Sequence, residues 1–150
     1  MTKIKNVKGR QVFDSRGNPT VEAEIFLDDG SSATAISPSG ASTGAFEAHE
    51  LRDKDQNKFL GKSVITAVQN INSKISNKLK NLDFSHQEKI DKILIELDGS
   101  ENKTNLGANA TLAVSLAYAK CTAIANKQSL YKSLGKSYSC LLYTSDAADE

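Results

Sequence analysis

From Thr20 to Asp28 the side chains alternate, with Val21, Ala23, Ile25 and Leu27 on one face and Glu22, Glu24 and Phe26 on the other. A period of two over nine residues is the pattern of a strand with one face in a core and one towards water. Such a strand needs antiparallel neighbours, and the sequence provides them on both sides. Asp29-Gly30 is a hairpin signal, after which Ser32 to Ser37 returns with Ala33, Ala35 and Ser37 on one face and Thr34 and Ile36 on the other. Upstream, Ile4, Val7, Val12 and Phe13 mark a first strand within 3–13, and Gly9 predicts a bend or bulge in it. The turn formers of Asp14-Ser15-Arg16-Gly17-Asn18-Pro19 separate the first two strands and leave Arg16 to pair with an acid elsewhere. These features predict a three-stranded antiparallel meander.

Beyond residue 60 the period changes. Val64, Val68, Ile71, Ile75 and Leu79 step by four, three, four and four, with Ile65 and Asn72 flanking the stripe, so 63–79 reads as an amphipathic helix. Ser85-His86-Gln87-Glu88 is a capping box ahead of Ile90, Ile93, Leu94 and Leu97, and Gly99 suits the left-handed position that ends the helix. Asn105-Leu106-Gly107-Ala108-Asn109 opens an Ala-rich helix running to about Asn126, in which Ala113, Ala117 and Cys121 permit close packing beside Leu112 and Leu116. A short helix over 129–135 ends at Gly135, and Glu47 to Arg52 predicts one or two further helical turns. Strands first and helices after give an α+β fold, with the helices on one face of the sheet.

Hydrophobic residues make up 39% of the 150, enough for one folded domain with a real core. A net charge of +1, with lysines scattered along helices, gives no basic field for nucleic acid. No apolar run approaches the length of a membrane span, and Met1-Thr2-Lys3-Ile4-Lys5 lacks a signal peptide's apolar region, so the expected location is the cytoplasm. Cys121 and Cys140 lack metal-ligand spacing and read as reduced thiols, with Cys121 packed on its helix.

The meander delivers Ser37-Pro38-Ser39-Gly40-Ala41-Ser42-Thr43-Gly44-Ala45-Phe46-Glu47. Hydroxyls, glycines and free N–H groups in one loop suit phosphate, carboxylate or Mg2+, although a plain connector between a strand and a helix has the same composition. His49 has no His, Cys or acid at ligand spacing and reads as a solvated or hydrogen-bonded side chain. There is no close acid pair, no nucleophile with a partner, no Walker loop and no nucleotide-binding glycine fingerprint, so no complete active site is written here.

Several longer motifs recur in order: Gln11-Val12-Phe13-Asp14-Ser15-Arg16-Gly17-Asn18-Pro19-Thr20-Val21-Glu22, Pro38 through Gly44, Glu50-Leu51-Arg52-Asp53, Leu60-Gly61-Lys62, Leu97-Asp98-Gly99 and Leu106-Gly107-Ala108-Asn109-Ala110. Over about 4–135 the chain resembles the N-terminal domain of the enolase family. The resemblance implies the glycolytic interconversion of 2-phosphoglycerate and phosphoenolpyruvate, in a homodimer whose second domain is an α/β barrel. It implies two Mg2+ ions per active site, with Ser42 a ligand of the second. Ser39, Gly40, Ala41, Ser42, Thr43 and Gly44 correspond to the loop over the substrate, and Arg10 and Glu22 to ion-pair positions at the subunit interface. Phe46 stands where family members often carry histidine.

The family's lysine base, its assisting glutamate and the carboxylate ligands of the first Mg2+ belong to the barrel, for which this chain has no counterpart. The expectation is therefore a family domain over 1–135, inactive alone, and a tail over 136–150 that does not follow the family pattern and reads as truncated or adapter-derived sequence. The alternative function is non-catalytic binding at the cell surface, of the plasminogen-binding type, through lysines.

Overall fold

The computed structural model describes residues 2–40, 44, 47–83 and 86–135. Strands β1 (Ile4–Phe13), β2 (Pro19–Leu27) and β3 (Ser32–Ser37) form an antiparallel sheet in the order β1-β2-β3. The predicted meander is present, and its alternation is the burial pattern. Val21, Ala23, Ile25 and Leu27 are buried with Ala33 and Ala35, while Glu22, Glu24, Thr34 and Ile36 lie on the opposite face.

The irregularity of β1 lies between Ile4 and Asn6, not at Gly9, which pairs with Ala23 in unbroken register. Glycine serves there for a different reason. A Cβ at residue 9 would come within 2.9 Å of the Ile71 Cβ, so the missing side chain is what lets a helix approach the strand. Asn72 completes this contact, its Oδ1 accepting from Gly9 N at 2.8 Å and its Nδ2 donating to Gly9 O at 3.0 Å, which satisfies the backbone at the open edge of β1. Arg16 also departs from expectation, because it pairs with Asp14 inside its own turn at 3.3 Å. The Asp14 carboxylate accepts from Asn18 N and Arg16 N, and these bonds hold its pKa below the usual carboxylate range.

The stripe predicted over 63–79 is buried in full at Val64, Val68, Ile71, Ile75 and Leu79. Each such side chain contributes roughly 1.5–3 kcal/mol relative to exposure. The helix begins later than predicted and is not uniform: α1 (Ile65–Asn70) passes through a wider π-helical turn (Ile71–Ile75) into α2 (Ser76–Leu79). That turn carries the two residues, Ile71 and Asn72, that meet Gly9, in keeping with the tendency of such turns to mark special contacts.

Helix α3 (Gln87–Asp98) ends as predicted on Gly99, with φ at 68°. The serine of its capping box lies outside the described residues. Helix α4 (Ala108–Ala125) lies across β2 and β3 and buries Ala110, Ala113, Ala117 and Cys121, while Leu112 and Leu116 face outward. Small side chains on the sheet side let the helix axis come close to the strands. Helix α5 (Leu130–Gly135) ends the described chain, and among the described residues there is no barrel. Among the described residues no helix is long and apolar enough to cross a membrane.

Candidate functional site

At the end of β3 the chain leaves the sheet through Pro38, Ser39 and Gly40, which are half-buried or exposed. Ser39, Gly40 and Gly44 are described. Ala41, Ser42 and Thr43, the centre of the predicted substrate loop, and Phe46 lie outside the described residues. A groove of about 950 Å3 begins at Gly40 and Gly44, passes His49 and Arg52, and reaches Asp91 of α3 and Ser115 of α4.

The groove's near wall is the segment 47–52, which is not helical as its propensity suggested. Its backbone bonds go sideways instead. His49 N donates to Asn102 O at 2.7 Å and His49 O accepts from Ala108 N at 2.8 Å. Asn109, buried at the start of α4, accepts from Leu51 N at 3.2 Å and donates to Leu51 O at 3.0 Å. Those partners replace the bonds a helix would have made, so tertiary pairing overrides a weak local preference. Gly107 is required beside them: its φ is +94°, and a Cβ there would meet Asn109 Oδ1 at 2.5 Å and Leu51 Cβ at 2.6 Å. His49 is therefore placed at the groove by its backbone, and among the described residues it joins no cluster of ligating groups.

The residues 50–53 sit at the centre of the site. Arg52 Nη2 donates to Ser39 Oγ at 3.0 Å and to Glu50 Oε1 at 2.7 Å. Its Nη1 donates to Pro19 O at 3.1 Å and to Lys62 O. One guanidinium thus joins the root of the glycine-rich segment, the first residue of β2 and the loop before α1. Its side chain is 18% exposed. Four contacts match the four N–H bonds on the two Nη atoms, so the Nη edge of this cation is committed to the fold.

Asp53 caps α1 from the same segment, accepting from Ile65 N at 2.8 Å and Thr66 N at 2.9 Å. Burial pushes its pKa up, but the bonds from Thr66, Ser63 and Ile65 outweigh that and hold it below the ordinary value. Two further contacts hold the 53–63 loop against the turn between β1 and β2. Lys62 Nζ donates to Asn18 Oδ1 at 2.9 Å, and the rings of Phe13 and Phe59 meet edge to face at 5.3 Å.

Residues 4–134 match the family model of the enolase N-terminal domain. The chain belongs to the enolase family. The blocks of sequence that resemble the family have separate physical tasks in this enolase N-terminal domain: Asp14 to Pro19 builds a turn, Glu50 to Asp53 clamps it to the start of the glycine-rich segment, and Gly107 with Asn109 seats the groove wall. Reading the sequence alone missed Arg52 as the centre of this arrangement. The available signal was an arginine between two acids in a segment otherwise too polar to be core.

Arg10 and Glu22, the predicted interface pair, face each other across β1 and β2 at 2.5 Å, and Glu24 takes the other nitrogen of Arg10. The hydrogen bonds that Arg10 donates to Glu24 and Glu22 raise its pKa above the ordinary value. Among the described residues no three His, Cys, Asp or Glu side chains converge as a metal site. The donor set of the described residues does not fit a carboxylate-bound Mg2+.

Proposed function

We propose that this chain is part of a phosphopyruvate hydratase, the Mg2+-dependent lyase that interconverts 2-phosphoglycerate and phosphoenolpyruvate. The observation that carries the reading is the enolase N-terminal match over 4–134. The anchored start of the glycine-rich segment at the mouth of a groove agrees with it. In this reading residues 39–44 supply the loop over the substrate, and Ser42 gives an oxygen ligand to the second of two Mg2+ ions, a hard cation suited to such donors. Arg10 and Glu22 exchange their pairing within the chain for contacts with the second subunit of a homodimer.

In this reading the proton-abstracting base belongs to the family's barrel, and carboxylates must fix the metals, whereas among the described residues no three His, Cys, Asp or Glu side chains converge to hold one. The 150-residue chain alone is therefore expected to be inactive. The uninterrupted gene product, assayed for phosphoenolpyruvate formation with excess Mg2+, should be active and should lose most of its turnover on Ser42→Ala. An inactive gene product, or full activity in Ser42→Ala, would refute the reading. Turnover by the 150-residue chain would show that the catalytic groups lie within it.

A further inference from the structure

Four hydrogen bonds converge on a sheltered guanidinium that touches the first residue of the glycine-rich segment and no described acid other than Glu50. This is more than a surface ion pair. The Pro19 and Lys62 carbonyls belong to segments already fixed, one by the sheet and the other by the Asn18 and Phe13 contacts. Among the described residues, the side chain of Ser39, by contrast, is hydrogen-bonded to Arg52 alone. The guanidinium therefore transmits the position of a rigid base to the point where the chain leaves β3.

We propose that Arg52 is a positioning residue for the start of the glycine-rich segment, holding Ser39 and Gly40 in one place at the lip of the groove where a substrate binds. The functional half of this inference rests on the hydratase reading above. The structural half does not. All four Nη hydrogens of Arg52 are engaged by the fold, so the role inferred for it is to position the segment and not to bind substrate. A planar fork is needed, because acceptors on four residues must be met in fixed directions. Lysine, with the same charge on one nitrogen, cannot meet them together.

The first measurement uses the 15N-labelled 150-residue chain. In the wild type, the heteronuclear NOE at Ser39 and Gly40 should be close to that of Ala35 in β3, and the Arg52 side-chain N–H signals should show hindered rotation. Arg52→Lys should lower the NOE at Ser39 and Gly40 while leaving Ala23 and Ala117 unchanged. Ser39→Ala removes one acceptor and spares the rest of the clamp. It should reproduce the loss at Gly40, and the double variant should add nothing further. An unchanged NOE in either single variant, additive effects in the double, or an equal loss at Ala23 and Ala117 would overturn the proposal.

The second measurement uses the uninterrupted gene product with 2-phosphoglycerate and Mg2+. Misplacement of groups around the reacting centre acts mainly on turnover, so Arg52→Lys should lower kcat about tenfold or more with little change in KM. If the wild type is inactive, the hydratase reading fails while the NOE results still decide the clamp. If the wild type is active and Arg52→Lys keeps its full kcat, the positioning role fails and the hydratase reading stands.

Discussion

Gly9→Ala is the smallest change that tests how the helices are fitted to the sheet. The added methyl would lie 2.9 Å from Ile71 Cβ, 3.0 Å from its Cγ2 and 3.1 Å from its Cδ1. Ile71 is fully buried and β-branched, so it cannot swing aside without disturbing the π-helical turn that carries it. Overpacking of this kind costs about 1–3 kcal/mol. Alanine recovers roughly 0.5–1 kcal/mol through the lower entropy of the unfolded chain, leaving a net loss of about 1–2 kcal/mol. Urea unfolding should show a lower midpoint with an unchanged slope, and thermal unfolding should fall by about 3–6 °C. Ile71→Ala removes two of the three clashing atoms. In that background Gly9→Ala should cost less, with a coupling of about 1 kcal/mol. Gly9→Ala as stable as the wild type, or strictly additive costs in the double variant, would refute the close-approach argument.

Three further outcomes are expected. The buried Asp98 carboxylate accepts from Leu106 N at 2.7 Å and from the Ser100 backbone and hydroxyl. Burial pushes its pKa up, but these bonds and Lys103 bring it below the ordinary 3.8. Its stabilisation is then complete above the unfolded-state value and is lost as pH falls through the lower folded value. Asp98→Asn should therefore cost about 1–3 kcal/mol at neutral pH and progressively less below pH 3.8, as urea titrations would record. Asn109→Ala deletes both bonds to Leu51 and should cost about 1–3 kcal/mol, with trypsin cutting after Arg52 or Lys54 sooner than in the wild type. Burial, with a smaller effect from Asp29, pushes the Cys121 thiol up to about 11, so in a Cys140→Ser chain a thiol reagent at mildly alkaline pH should react only as the protein unfolds.

The groove has an outer rim that the sequence did not describe as such. Ile95 and Leu112 are exposed at 52% and 45% although each sits in a helix read from its apolar spacing. In α4 the reason is close packing: alanines and Cys121 take the sheet side, and the larger leucines are turned away from it. An Ala-rich helix has apolar residues all round, so periodicity alone does not say which face goes inward.

What the sequence determined by itself was everything carried by a repeating pattern. The alternation from Val21 to Leu27 selects one buried face whatever surrounds it, because a shift of one residue would bury Glu22 and Glu24. The stripe from Val64 to Leu79 and the stop at Gly99 are equally local, resting on helix geometry and on the one residue that enters the left-handed region without strain. The tertiary structure decided what depended on partners far along the chain. Residues 47–52 are not helical because Asn102, Ala108 and Asn109 meet their backbone, and such partners outweigh a helix propensity worth tenths of a kcal/mol per residue. Gly9 is glycine because Ile71 lies against it, and Arg52 is a clamp because Pro19, Ser39 and Lys62 arrive within reach of one guanidinium. Those meetings are set by how the helices and loops close over the sheet, and no spacing within the chain encodes them.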